Sequence, residues 1–211
     1  MTTGYPAILL LDGRLAVVIG GGPVAERKVR TLREAGAKVR LVSETVTRRL
    51  RDLADSGEIE FVDRRYARGD LAGAVVAVAA TDDEEVNRGV YAEATEAGIP
   101  VNVVDNTALC TFIAPSIVRR GDLVVAISTG GAAPALAVRI RERLEREFGE
   151  EYAHFLELTA ELRETVEIPG DQDDRAKAWY RVIDSDVLDL VRAGDMDAAR
   201  ERAVALLLNK G

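Results

Sequence analysis

Cysteine, histidine, long apolar runs and positive charge are all scarce in this chain, and each scarcity excludes something. The single cysteine, Cys110, rules out an intramolecular disulfide and a zinc site built on paired cysteines, and it fits a reducing compartment. Cys110 reads as a small core hydrophobe. The single histidine, His154, leaves no Cys/His cluster for a transition metal, so no metal site is expected, and among helix-forming residues it reads as a surface or core residue rather than a catalyst. The longest apolar run, AGAVVAVAA at 72–80, is far short of the roughly 20 residues that cross a bilayer. The opening MTTGYPAILLLDGR has no basic segment ahead of its short apolar stretch, so no signal peptide is read and a cytoplasmic location is expected. Lys and Arg number 28 against 36 Asp and Glu, a formal charge of −8, which excludes nonspecific binding to nucleic acid or an anionic membrane. An acidic ligand would have to be met by local arginines.

Apolar residues, by contrast, make up 47% of the 211 positions, enough for a sizeable core in one large domain or a main domain with an appendage. The segment 8–11, the turn dipeptide Asp12-Gly13 and LAVVI at 15–19 predict strand, tight turn, strand. Val24, Val29, Leu32 and Ala35 recur at helical spacing, with Gly36 as a stop. KVRLVS (38–43) predicts a strand, ETVTRRLRDLADSG (44–57) a helix with Val46, Leu50 and Leu53 on one face, and EIEFV (58–62) a strand. AVVAVAA (74–80), a helix around 83–97 and IPVNVV (99–104) continue the alternation. Strands alternating with helices predict a parallel sheet covered on both faces.

Past Asp105 the rhythm changes. TFIAPSIV (111–118) and DLVVAIST (122–129) flank RRG, which predicts strand, turn, strand with no helix between, Pro115 marking an edge or irregular position. A helix over 134–148 carries Leu136, Ile140, Leu144 and Phe148 in steps of four, a narrow apolar stripe that needs another surface to cover it. From Glu150 onward the pattern is helical: 151–166, a polar break PGDQDD at 169–174, a helix over 175–192, then AGDMD and a last helix to Leu208. The expected fold is α/β: a Rossmann-like parallel sheet domain over 1–113, a small α+β module over 114–149 and a C-terminal helical segment over 150–211.

Gly20, Gly22 and Ala25 fit G-x-G-x-x-G/A after a strand and at the opening of a helix. In that context Gly20 allows a tight turn, Gly22 lets backbone approach a pyrophosphate, and the helix start, with Pro23 and Val24, offers free N–H groups and the positive end of the helix dipole. An acidic residue expected about 20 positions on to hold a ribose hydroxyl is found as Glu44, preceded by Ser43 and followed by Thr45. With no arginine at that turn, although Arg40 and Arg48 are near, NAD is favoured over NADP.

AATDDEEVN (79–87) and NVVD (102–105) end predicted parallel strands at the edge where open α/β sheets bind ligands. Thr81 and Asp82 either line a cofactor or cap the next helix, and Asp105 is either a site carboxylate or a turn residue beside Asn106. In STGGAAPALAV, Thr129 with Gly130 and Gly131 forms either an anion-binding nest or a Ser/Thr cap with glycine freedom. Arg119, Arg120 and Arg139 are candidate carboxylate partners, though charged residues in turns and on helix faces are commonly just solvated.

GGGPVAERKVRTLREAGAKV, AATDDEEVN, NVVDN and FIAPSIVRRGDLVVAISTGGAAPALAVRIRERLE together resemble the precorrin-2 dehydrogenases, including the N-terminal module of siroheme synthases and the bifunctional dehydrogenase–ferrochelatases. The resemblance spans residues 5–148; beyond Glu150 it is architectural only. It implies NAD-dependent oxidation of precorrin-2 to sirohydrochlorin by a homodimer whose dimerisation module is the 114–148 region. It gives catalysis to Asp105, cofactor contacts to Ser43, Glu44 and Thr45, and a place near the tetrapyrrole to Thr129; Ser128 and Arg119 are further candidate substrate contacts. Family members differ in whether they also insert iron, and Asp105 does not separate the two chemistries. The competing function class is a dinucleotide-sensing regulatory module without catalysis, which explains Gly20–Ala25 but gives no reason for the NVVD aspartate or the STGG loop.

Overall fold

The computed structural model describes residues 4–208, which divide into two compact units between Ala114 and Pro115. In the first unit the apolar runs become five short strands: β1 (Leu15–Ile19), β2 (Lys38–Val42), β3 (Glu60–Val62), β4 (Val76–Ala79) and β5 (Val101–Val103). They lie in the order β3-β2-β1-β4-β5, and every pairing is parallel. Between them run α1 (Pro23–Glu34), α2 (Arg48–Asp55) and α3 (Glu84–Glu96). The alternation of strand side chains feeds two cores. Ala16, Val18, Val39, Leu41, Val76 and Val78 meet Ala25, Val29 and Leu50 from α1 and α2, while Val17, Ile19, Val42, Ala77, Val101 and Val103 meet Val90 and Ala94 from α3. Sequence order runs outward from β1 to β3 and then restarts on the other side of β1 with β4. That reversal creates a switch point at the carboxyl ends of β1 and β4.

Three expectations for this unit need correction. Residues 8–11 form no strand: β1 has parallel neighbours on both sides, so it offers no open edge to an antiparallel partner. Asp12-Gly13 still turns, Leu11 is buried, and Ile8 and Leu10 are exposed. The helix expected from residue 44 starts only at Arg48, because extended Thr47 caps it and its hydroxyl accepts from the Leu50 N–H at 3.3 Å. Val46 nonetheless packs against the same core as Leu50 and Leu53, from the preceding loop. Residues 111–115 are irregular, since Thr111 and Phe112 turn their N–H groups to the Val101 carbonyl on the free edge of β5.

The second unit opens with an antiparallel hairpin, β6 (Ser116–Arg120) and β7 (Leu123–Ile127), as the alternation predicts. Then follow α4 (Pro134–Glu147), α5 (Glu151–Thr165), α6 (Gln172–Ile183), α7 (Val187–Arg192) and α8 (Met196–Leu208). Phe155, Leu158 and Leu162 of α5, Ala178 and Val182 of α6, Val187 and Val191 of α7, and Ala199, Ala203 and Leu207 of α8 make its core. The acidic stretch expected as a break is partly a helix start: Asp171 and Asp174 form a reciprocal capping box for α6. The single helix expected over 175–192 is two, because Ser185 takes the Val187 N–H and donates to the Val182 carbonyl, interrupting the ladder at 184–186.

Candidate active site

The turn after β1 is held by close backbone approaches. Gly20 has φ +108, and a Cβ there would stand 2.2 Å from the Ala80 carbonyl oxygen at the end of β4; one on Gly21 would meet the Thr45 carbonyl at 1.9 Å. Only glycine fits either place. Gly22 differs, because nothing lies within 4 Å of the Cβ it lacks. It is the N-cap of α1, without a side-chain cap, and Pro23 fills the first helical position. The helix start therefore has open space beside Gly22 and no side-chain cap among the described residues, the arrangement that receives a phosphate.

The loop after β2 is laced to this cradle. Thr47 N–H donates to the Gly21 carbonyl at 2.9 Å and its hydroxyl to Glu26 of α1 at 2.7 Å. Ser43 spends its hydroxyl on the Thr45 carbonyl at 2.7 Å, so it shapes the loop, while Glu44 and Thr45 are exposed. Glu44 pairs loosely with Arg65, at 3.7 Å, and Arg65 also pairs with Asp83. An arginine does therefore stand beside Glu44, brought from the segment after β3 by folding rather than by sequence. After β4, the Thr81 hydroxyl accepts from the Asp83 N–H at 3.2 Å, and Asp83 rather than Thr81 caps α3, through the Glu85 and Val86 N–H groups. Those N–H groups, Val86 first, hold the Asp83 carboxyl below its usual range.

At the end of β5, Asp105 has φ +59, and among the described residues no other non-glycine residue has a positive φ. Its exposed carboxylate makes no hydrogen bond or ion pair with the described residues, so it is available to a ligand or a proton. Two neighbours were not assigned to the site from the sequence. Lys28 of α1 is half-buried; burial and Arg27 lower its pKa, while Cys110 and Asp105 act in the opposite sense. The available signal was position, since Lys28 lies one turn from both Val24 and Leu32, where it interrupts an apolar stripe. Cys110 is not the plain core hydrophobe expected: it is half-buried, and its sulfur accepts the Val103 N–H at 3.3 Å.

Gly20, Gly22, Ser43–Thr45, Thr81 and Asp105 thus gather at the carboxyl edge of one sheet. The remaining candidates lie in the second unit. Ser128 accepts the Gly130 N–H at 3.2 Å and Thr129 accepts the Ala133 N–H at 3.2 Å, so both hydroxyls shape the loop before α4. Arg119 on β6 is exposed and unpaired among the described residues. Arg120 is used structurally, reaching the Glu145 carbonyl and Glu150, Arg139 pairs with Glu142, and exposed His154 lies beside Glu157. Among the described residues no three metal-ligating side chains cluster, and no helix is long and apolar enough to cross a membrane.

A parallel sheet with a glycine cradle at its switch point defines a dinucleotide-binding protein of the Rossmann type. Residues 7–116 match the family described as "Putative NAD(P)-binding", 120–147 the sirohaem biosynthesis protein central region and 151–207 the sirohaem synthase dimerisation region. The chain belongs to this family of NAD(P)-binding proteins that carry the sirohaem synthase central and dimerisation regions. The family description attaches dimerisation to 151–207, beyond the 114–148 region to which the resemblance assigned it. Siroheme synthase of Pseudomonas aeruginosa strain LESB58 is 44% identical over 190 residues, 90% of this chain and 41% of that protein. Siroheme synthase of Methylobacillus flagellatus is 41% identical over 209 residues, 98% of this chain and 44% of that protein. The chain thus spans well under half the length of these relatives. A solved structure described as SirC, precorrin-2 dehydrogenase, superposes with a TM-score of 0.74 at 25% identity, covering 94% of this chain and all of that one.

Proposed function

We propose that this protein is an NAD-dependent dehydrogenase that oxidises precorrin-2 to sirohydrochlorin, acting as a homodimer. The observation that carries the reading is the pairing, along one sheet edge, of an uncapped helix start after β1 with an unengaged carboxylate, Asp105, after β5. A sensor needs only the first. The cradle fits a dinucleotide: the open space at Gly22 would admit a diphosphate, the α1 N–H groups would bind it, and exposed Glu44 would hold a ribose hydroxyl. NAD, when bound, accepts the hydride that leaves the macrocycle.

The chain's own residues do the rest. Removing a hydride from a C–H bond leaves a proton to be lost from the same substrate, and the Asp105 carboxylate accepts it and passes it to water. Arg119, exposed and unpaired, suits a carboxylate of the polyacidic substrate, and Ser128 and Thr129 stay with it as proposed substrate contacts. The homodimer is supported by the poor burial of α4, where Ala137 is the only buried residue and Leu136 and Val138 are 53% and 42% exposed. Purified protein given NAD and precorrin-2 is expected to form NADH and sirohydrochlorin together, followed by absorbance. Tight NAD binding without turnover would favour the sensor instead.

A further inference from the structure

The backbone of Asp105 poses a question that its side chain does not answer. A left-handed conformation is uncommon outside glycine, although Asp tolerates it better than most residues, and it persists where surrounding structure over-determines it. The carboxylate itself is unengaged. The turn is instead gripped from within by a residue five positions on. Cys110 Sγ accepts the Val103 N–H at 3.3 Å and lies 3.2 Å from both the Val103 and the Asn106 carbonyl oxygens. Its single S–H is shared between those two acceptors, one before Asp105 and one after it. The Asn106 N–H also closes back on the Val103 carbonyl, at 3.3 Å. Lys28 of α1 interacts electrostatically with Cys110 and Asp105, and Ala25 and Val29 of the same helix share a core with Val104 and Phe112.

Thr111 shows what covering the strand edge alone requires. Its hydroxyl takes the Val101 N–H at 2.8 Å and its own N–H donates to the Val101 carbonyl at 2.9 Å, two residues upstream, with no bond to the Asp105 turn. Cys110 does the same for Val103 and then reaches past Asp105 to Asn106. We propose that Cys110 is a positioning residue whose thiol sets the turn from which Asp105 presents its carboxylate. This rests on the reading of Asp105 as proton acceptor.

The test is steady-state dehydrogenation of precorrin-2 by full-length Cys110→Ala, Cys110→Ser and Thr111→Val, with Cys110→Ala also combined with Asp105→Asn. Misplacing a reacting group by a fraction of an ångström lowers kcat, so Cys110→Ala is expected to lose roughly 10-fold in kcat with KM and NAD affinity unchanged. Cys110→Ser, which keeps a donor and acceptor, should recover most of that loss. Thr111→Val should lower Tm and leave kcat alone. Added to Asp105→Asn, the Cys110→Ala change should cost nothing further, because it acts through the group already removed. A wild-type kcat in folded Cys110→Ala, a Cys110→Ser no better than Cys110→Ala, an equal loss in Thr111→Val, or a further loss on top of Asp105→Asn would each overturn the proposal. A wild-type rate for Asp105→Asn alone would remove the acceptor, and the reason to position it, whatever Cys110 does.

Discussion

Strands β1, LAVVI, and β7, LVVAI, contain the same five residues, yet β1 buries four of them and β7 none. Composition does not set burial; neighbours do. β1 has a parallel partner on each side and helices over both faces, whereas β7 pairs only with β6 in a two-stranded sheet. α4 and α5 pack against that hairpin but leave every residue of β7 at least partly accessible, and the homodimer proposed above would cover apolar residues of β7 and α4. The sheet unit covers both faces of β1 with its own helices and leaves open space at Gly22, on its carboxyl edge.

The cradle is where this contrast breaks most sharply. Gly22→Asp should abolish NAD binding while leaving Tm unchanged, because the side chain enters open space but puts a negative charge where the diphosphate belongs. Calorimetric titration alongside thermal melting checks it, and unchanged affinity in a folded variant would take Gly22 out of the site. The hairpin unit should respond in its assembly. Leu136→Asp, at a position 53% exposed in one chain, should convert the proposed dimer to a monomer at micromolar concentration with little loss of secondary structure, read by sedimentation. A variant that stays dimeric would move the interface elsewhere, with residues 151–207 the next place to look.

The smallest expected effect belongs to the sheet unit's own scaffold. Buried Asp70 receives both terminal nitrogens of Arg64, at 2.8 and 2.6 Å, and the Ala67 N–H at 2.8 Å. The bond from Arg64, more than any other cause, holds its carboxyl below the ordinary 3.8. Asp70→Asn should cost about 1–2 kcal/mol, a fall in Tm of a few degrees. A carboxylate depressed in the folded state stabilises it fully above its unfolded value and loses that contribution as pH falls through the lower folded value. The gap between wild type and Asp70→Asn should therefore persist at neutral pH and close only below about pH 4; a gap that closes at higher pH would contradict the pairing.

Most of the sheet was legible because strands buried on both faces must be near-continuous apolar runs, and Gly20 was legible because only glycine survives such a close backbone approach, whereas Gly22, which meets nothing, was legible only from its place at the helix start. Residues 8–11 are equally apolar and misled, since the pattern cannot say that both edges of β1 are already taken. Ser185 interrupting a helical run, and Asp171 with Asp174 starting one, are side-chain choices that periodicity does not register. In the site, Asp105 could be placed at a strand end, but neither its left-handed backbone nor the grip of Cys110 is encoded in spacing. Arg65 reaches Glu44 from 21 residues away in sequence, which a local reading of the ribose turn could not see.

Chemistry as well as binding at the sheet edge, as proposed above, is tested most directly by Asp105→Asn. The change keeps shape and tolerance of the left-handed backbone but removes the proton-accepting carboxylate. NAD affinity and oligomeric state measured beside turnover of precorrin-2 should remain those of the wild type, while the rate falls by about 10²–10⁴-fold. Turnover near the wild-type rate, in a variant that still binds NAD, would contradict the account and leave Asp105 as a turn residue.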